Sequence, residues 1–280
     1  MSKSFRIFVV ALCLVSVFEI ALAERLNSRV RLFELVKSDT DVQEDIKAEV
    51  KLGRQIAANI LGKYGLYGND TINEYVSKVG HSLTLELGRR EIDYYFSVLD
   101  TEEINAYAAP GGYIFITRGL LQQLQDESEL AAVLAHEIIH VDKKHIVEAL
   151  DIKGFADSHQ RGFVTFIGGI AGSARVAFDQ AVDSALEVLF SQGLHHEAEF
   201  ESDKLALQIL HHVGYEPGAI ARVLHRMEDS SSEYTEVIRS THPSFESRLS
   251  HITESELIAA SKPGAYVRVK KRFSENTVGL

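Results

Sequence analysis

The 280-residue chain has a single cysteine, Cys13, and only four prolines. A lone cysteine closes no internal disulfide, so the fold must be held by packing or by a metal. With so few prolines, and no repeat or Pro/Gly-rich linker between residues 24 and 262, helices can run on unbroken, which argues for one continuous domain. Basic charge is also in deficit, 29 Lys and Arg against 40 Asp and Glu, a net charge of -11. That deficit excludes a nucleic-acid partner, whose phosphates need cationic side chains. Neither apolar run, Ile7 to Phe18 or Phe163 to Gly172, reaches the about 20 residues that span a bilayer.

The first 23 residues have the layout of a cleaved export signal: Lys3 and Arg6 at the start, the apolar run from Ile7 to Phe18, and Ala21-Leu22-Ala23 as a small-x-small cleavage site. Cys13 would leave with it. An uncleaved anchor and a lipidated Cys13 are the weaker alternatives, because the run is short and Leu12 stands where a small residue is expected. The expected organisation is a signal over 1–23, one domain over 24–262 and a basic tail over 263–280. The tail carries Arg268, Lys270, Lys271 and Arg272, and reads as solvated or edge-pairing rather than membrane-binding.

Residues 41–64 keep a helical period through Val42, Ile46, Val50, Ile56 and Ile60, and Ile72 to Leu87 follows as a second helix after a Gly68-Asn69-Asp70 turn. Tyr94 to Leu99 and Tyr113 to Thr117 are aromatic and β-branched, with Pro110-Gly111-Gly112 turning the chain before the second, so both read as strands. Helical periodicity returns from Gly119 to about Ala260.

Asp126 can cap a helix, with Glu129 three residues on, and Leu130, Val133, Leu134, Ile138 and Val141 then form a buried stripe. His136-Glu137-Ile138-Ile139-His140 therefore sits mid-helix. Positions i and i+4 share a face one turn apart, so the two imidazoles converge where a zinc ion could be held, with Glu137 beside it. The residue types suit hydrolysis: neutral imidazoles bind zinc, the ion acidifies a water, and an adjacent carboxylate takes the proton. Among 12 histidines the pattern alone is weak, and two ordinary helix histidines are the bland alternative. A catalytic zinc also needs a third protein ligand and an open position. Glu199-Phe200-Glu201-Ser202-Asp203 lies in a helical segment ending at Gly214, with Glu199 and Asp203 on one face. Glu199 could complete the ligand set and Asp203 could accept the free N–H of a ligand imidazole; without the histidines, a solvated acidic face would be preferred.

Six blocks in order resemble the M48 zinc metallopeptidases, particularly their exported bacterial members. They are Glu49-Val50-Lys51-Leu52-Gly53, Asn105-Ala106-Tyr107-Ala108-Ala109-Pro110-Gly111-Gly112-Tyr113-Ile114, Arg118-Gly119-Leu120-Leu121, the histidine motif, Glu199 with Asp203, and Thr241-His242-Pro243 with Arg248. The likeness runs from Glu49 to Ile252. It implies an α+β fold: a mainly helical, gluzincin-like metallopeptidase domain with a small sheet whose edge strand, taken as Tyr113 to Thr117, lines the cleft. It implies His136, His140 and Glu199 as ligands of one zinc per chain and Glu137 as general base. The implied function is a zinc endopeptidase acting on unfolded or misassembled exported proteins, in the periplasm, free or membrane-associated. Substrates would bind extended by strand addition, with Tyr113 among their contacts. Ser202 stands where the family usually has alanine, and the helical-repeat domain of many relatives is not expected, so partner docking through repeats is not carried over.

In some relatives the histidine matching His242 approaches the zinc and holds the enzyme latent; here His242 reads equally well as a loop histidine before Pro243. Arg248 is expected to tie the last helix to an acidic side chain, Asp203 among the candidates, more than to touch substrate. His145, His195, His196, His211, His212, His225 and His251 lack ligand spacing and read as structural. The apolar Phe163 to Gly172 segment reads as a cover between the ligand helices, with peripheral membrane contact as a lesser alternative. A competing function is a chaperone-like assembly factor with a latent protease site. A purely structural zinc site is disfavoured, since closed sites use four Cys or His ligands and Cys13 would be lost.

Overall fold

A computed structural model describes residues 42–87, 89–150, 171–229, 233–253, 255–259 and 266–280. The expected signal and the Phe163, Gly168 and Gly169 cover lie outside the described residues. The chain divides into two compact units, Met1–Asp45 and Ile46–Leu280. Of the first, residues 42–45 are described, and they are helical.

The second unit starts with α1 (46–64) and α2 (Asp70–Leu87). Asn69 begins α2, its Oδ1 accepting the Ile72 N–H at 3.2 Å, which satisfies one of the donors a helix start leaves free. Three strands follow: β1 (Tyr95–Leu99), β2 (Ala106–Ala109) and β3 (Tyr113–Thr117). Their order is β1-β3-β2, with β1 parallel and β2 antiparallel to β3. The Tyr113 to Thr117 strand is therefore central, which corrects its assignment as the edge along the cleft. Its other side is taken by β2, folded back through Pro110-Gly111-Gly112 so that Ala109 faces Tyr113. Gly112 has φ +100, and a Cβ there would lie 2.0 Å from the Asp93 carbonyl oxygen, so only glycine allows this return. The alanine-rich β2 has weak strand propensity of its own, and pairing with β3 imposes its conformation.

Successive residues of a strand face opposite sides, and the sheet uses this to divide two cores. Phe96, Val98, Ala106, Ala108, Ile114 and Ile116 join the larger apolar cluster. Leu99, Tyr107, Ala109 and Phe115 join a smaller one with Leu52, Ile56 and Ile60 of α1.

The rest is helical: α3 (Arg118–Gln123), α4 (Glu127–Asp142), α5 (His145–Ala149), α6 (Ala171–Glu187), α7 (His196–Val213), α8 (Ala219–Asp229), α9 (Glu236–Thr241), α10 (Phe245–Thr253), α11 (Glu256–Ala259) and α12 (Lys270–Asn276). Helix α4 runs through the middle, buried on nearly every side. Asp126 caps it by accepting the Glu129 N–H at 3.0 Å, while Glu129 Oε2 takes the Gln125 N–H at 2.8 Å, a capping-box exchange shifted by one residue. Two of its buried carboxylates are matched: Glu127 accepts from Tyr75 and Tyr215 hydroxyls and from Arg272, and Glu129 from Arg222 and Arg226.

The basic tail belongs to this same unit and is docked on it. The Arg268 carbonyl accepts the Glu127 and Ser128 N–H groups at 3.1 and 3.4 Å, capping the start of α4, and Phe273 is buried beside Tyr75. Unpaired N–H groups at the start of a buried helix supply the reason for that docking. Among the described residues, no helix is long and apolar enough to cross a membrane.

Candidate metal centre

Helix α4 delivers His136 and His140 one turn apart, and their Nε2 atoms lie 3.0 Å from each other. Helix α7 crosses α4 and brings in Glu199, whose Oε2 lies 3.4 Å from His136 Nε2 and whose Oε1 lies 3.4 Å from His140 Nε2. One turn along α7, Asp203 Oδ1 is 3.0 Å from His136 Nδ1. Arg248 of α10 donates to Asp203 through both Nε (2.8 Å) and Nη2 (2.6 Å), the buried pair anticipated from the sequence.

These contacts fix the protons. With Asp203 accepting from His136 Nδ1, the neutral His136 ring presents a bare lone pair at Nε2. Two imidazole nitrogens and a carboxylate then face one point, and Glu199 Oε2, fully buried, has no hydrogen-bond partner. An orphaned carboxylate oxygen opposite converging nitrogen lone pairs is a site for a cation, and two nitrogens with a carboxylate are the donor set zinc takes. His242, just after α9, adds a further donor: its Nε2 is 3.6 Å from Glu199 Oε2. His136, Glu199 and His242 each offer a ligand atom within 4.8 Å of the others.

The electrostatics also favour a cation. Burial and Arg248 push His136 down, but Asp203 and Glu199 outweigh them and hold it at about 9. Burial raises Glu199, yet His242, His140 and His136 bring it well below the usual carboxylate range. His140 is driven down by burial. Glu137 is pushed up to about 7, chiefly by burial, poised to take or give a proton near neutrality.

Glu137 lines two adjoining hollows. One is lined by Ala106, Ala108, His140 and Leu189, the other by Val133, Val223, Met227 and Arg248. Both reach Asn105 and Ala106, so β2 is the strand beside the site. The Thr117 N–H bonds to the Asn105 carbonyl at 3.0 Å, and alternation along an antiparallel pair then turns the peptide groups of Ala106 and Ala108 away from β3. Tyr113 lines neither hollow; it stacks on Tyr95 at 5.1 Å and receives the Arg54 N–H at 3.4 Å.

Two features of the site were missed in the sequence. After α6 the chain makes a π turn, Val188–Gln192, and Gly193 at φ +74 packs so closely that a Cβ would lie 1.8 Å from the Thr241 carbonyl oxygen. This turn supplies Leu189 and Leu194 to the first hollow and braces the residue before His242. The second is His145, whose Nδ1 lies 3.0 Å from His140 Nδ1. A helix continued from His140 would carry residue 145 about 140° round the axis, so spacing alone gives no signal for it.

The model of peptidase family M48 matches residues 71–256, two thirds of the sequence and all four central residues of the site. The chain belongs to peptidase family M48. Among curated M48 relatives, the beta-barrel assembly-enhancing protease of Escherichia coli K12 is 29% identical over 215 residues, 73% of this chain and 43% of that protein. The mitochondrial metalloendopeptidase OMA1 of Schizosaccharomyces pombe is 25% identical over 215 residues, 74% of this chain and 60% of that protein. The bovine mitochondrial metalloendopeptidase OMA1 is 30% identical over 172 residues, 59% of this chain and 33% of that protein. The chain thus spans less than two thirds of the length of each. The α+β architecture, mainly helical with a small mixed sheet, is that of an M48 peptidase domain.

Proposed function

We propose that this chain is a zinc-dependent endopeptidase that cuts unfolded or misassembled exported polypeptides. The observation that carries this reading is the pair of imidazole Nε2 atoms 3.0 Å apart facing the unpartnered Glu199 Oε2, with Glu137 alongside. His136, His140 and Glu199 would hold the ion, and Asp203 with Arg248 would orient His136. Zinc bound there would supply a Lewis acid that polarises the scissile carbonyl and acidifies water. The Glu137 carboxylate would take the proton of the attacking water and pass it to the departing amine nitrogen. The outward Ala106 carbonyl and the outward N–H and carbonyl of Ala108 suit main-chain pairing with an extended substrate, while the Ala106 N–H is taken by Asn105 Oδ1 at 3.0 Å; the two hollows would receive side chains on either side of the scissile bond. Main-chain pairing makes recognition broad, which fits unfolded clients.

Export and a periplasmic site rest on residues 1–23; the Escherichia coli relative named for β-barrel assembly agrees with that compartment, while the OMA1 relatives are mitochondrial. The division into signal over 1–23, peptidase domain over 24–262 and basic tail over 263–280 is part of the same proposal.

Purified chain should hold one zinc and cut an unfolded protein, and Glu137→Gln should retain the metal while losing about 10²-fold or more of the rate. Zinc retained with no cleavage by the parent chain would refute it. His242 near Glu199 favours a second reading, an assembly factor whose protease is latent. There His242→Ala would raise cleavage, and Glu137→Gln would still rescue a strain lacking the gene, whereas a strict protease would not be rescued.

A further inference from the structure

His145 is 4% exposed and plays no part in the chemistry above. It directly follows Lys144, a non-glycine residue in the left-handed region at φ 59, which separates the end of α4 at Asp142 from the start of α5. Such a conformation costs about 1–2 kcal/mol and persists where the surroundings impose it. Its result here is to set the His145 ring 5.0 Å from that of His140, edge to face at 73°.

The contacts of the two rings leave one arrangement of protons. His140 Nε2 faces His136 Nε2 and Glu199 Oε1, so a His140 that binds a cation there must carry its proton on Nδ1. The atom that N–H meets is His145 Nδ1, at 3.0 Å. To accept, His145 must be neutral with its own proton on Nε2, and that nitrogen lies 3.4 Å from Glu201 Oε2. Ser202 puts its buried hydroxyl 3.5 Å from the same Nδ1.

We propose that His145 is the positioning residue of the centre, holding His140 by accepting its Nδ1–H and donating its own Nε2–H to Glu201. It rests on the reading that His140 is a metal ligand. The two ligand histidines are then oriented in parallel ways from one helix: His136 by Asp203 directly, and His140 by Glu201 through an intervening imidazole. Glu199, Glu201 and Asp203, all on α7, serve the same centre from three places.

The test uses the full chain loaded with zinc. Histidine-selective nitrogen NMR should show His140 bonded to metal at Nε2 and protonated at Nδ1, and His145 neutral with its proton on Nε2. A His145 protonated at Nδ1 overturns the proposal. Zinc affinity, measured by chelator competition, should fall about 10–100-fold in His145→Leu. It should return to within about threefold of the parent in His145→Asn, whose Oδ1 can take the place of Nδ1. Equal affinity in His145→Leu and the parent, or equal loss in the two variants, overturns it; if His145→Leu does not fold, the NMR of the unaltered chain decides. A parent chain that takes up no zinc overturns the metal reading and the proposal together, whereas normal uptake with the wrong His145 tautomer overturns the proposal alone.

Discussion

Zinc uptake by metal-free protein should expel protons, because the groups facing the site hold them at neutral pH. His136, held at about 9, carries a proton at neutral pH that must leave before Nε2 can bind metal. Glu137, at about 7, is half protonated there, and a cation beside it drives that proton off as well. His140, lowered by burial, contributes none. From these positions, release from the two side chains should be about two protons at pH 6 and fall toward about one at pH 8, with any proton lost from zinc-bound water added to it. Removing the His136 proton at pH 7 costs on the order of 3 kcal/mol, roughly a hundredfold in apparent affinity, and this cost fades as pH rises toward 9. Calorimetric titration of zinc into metal-free chain, in buffers of different ionisation enthalpy, counts the protons from the slope of observed heat against buffer heat. Release below about 0.3 proton at pH 7 would refute the reasoning, because it would mean His136 is already neutral and Asp203 and Glu199 do not raise it.

Three further outcomes follow from the packing. Arg248→Ala leaves Asp203 buried without its bidentate partner and should cost about 3–5 kcal/mol in denaturant unfolding, with a loss under 1 kcal/mol counting against the pair. Gly193→Ala combines φ +74 with a Cβ driven into the Thr241 carbonyl; it should lower stability by about 1–3 kcal/mol and alter catalysis by displacing His242, and an unchanged melting temperature would sink it. Glu127 is raised by burial but brought below the ordinary carboxylate range by Arg272, Tyr215 and Tyr75. A lowered folded pKa gives stability that is present above the unfolded value, about 4.3, and lost as pH falls through the folded one. Urea midpoints between pH 5 and 3 should therefore drop more steeply in the parent than in Glu127→Gln, and parallel curves would argue against the assignment.

His136, Glu137 and His140 could be read as one constellation because their relation is local: within a helix, spacing is geometry. The cap at Asp126, the end of α7 at Gly214 and the strand at Tyr113 to Thr117 were legible for the same reason, each set by a few neighbouring residues. What joins Glu199 to those histidines is the crossing of α4 and α7, which no periodicity encodes. Pairing likewise decided which strand is the edge: β3 has the β-branched and aromatic sequence, but it is central because β1 and β2 each take one side, and the alanine-rich β2 is left beside the cleft. His145 was passed over because a left-handed Lys144 undoes the helical spacing that sequence reading assumes. The basic tail reads from the sequence as solvated or edge-pairing; in the structure Val267 does pair with Gly214, and the unpaired start of α4 gives Arg268 something to cap. By itself the sequence determined the donors and the helix that holds two of them. The long-range packing decided which third donor meets them, which strand borders them and which buried histidine stands behind, since those depend on contacts between residues far apart in the chain.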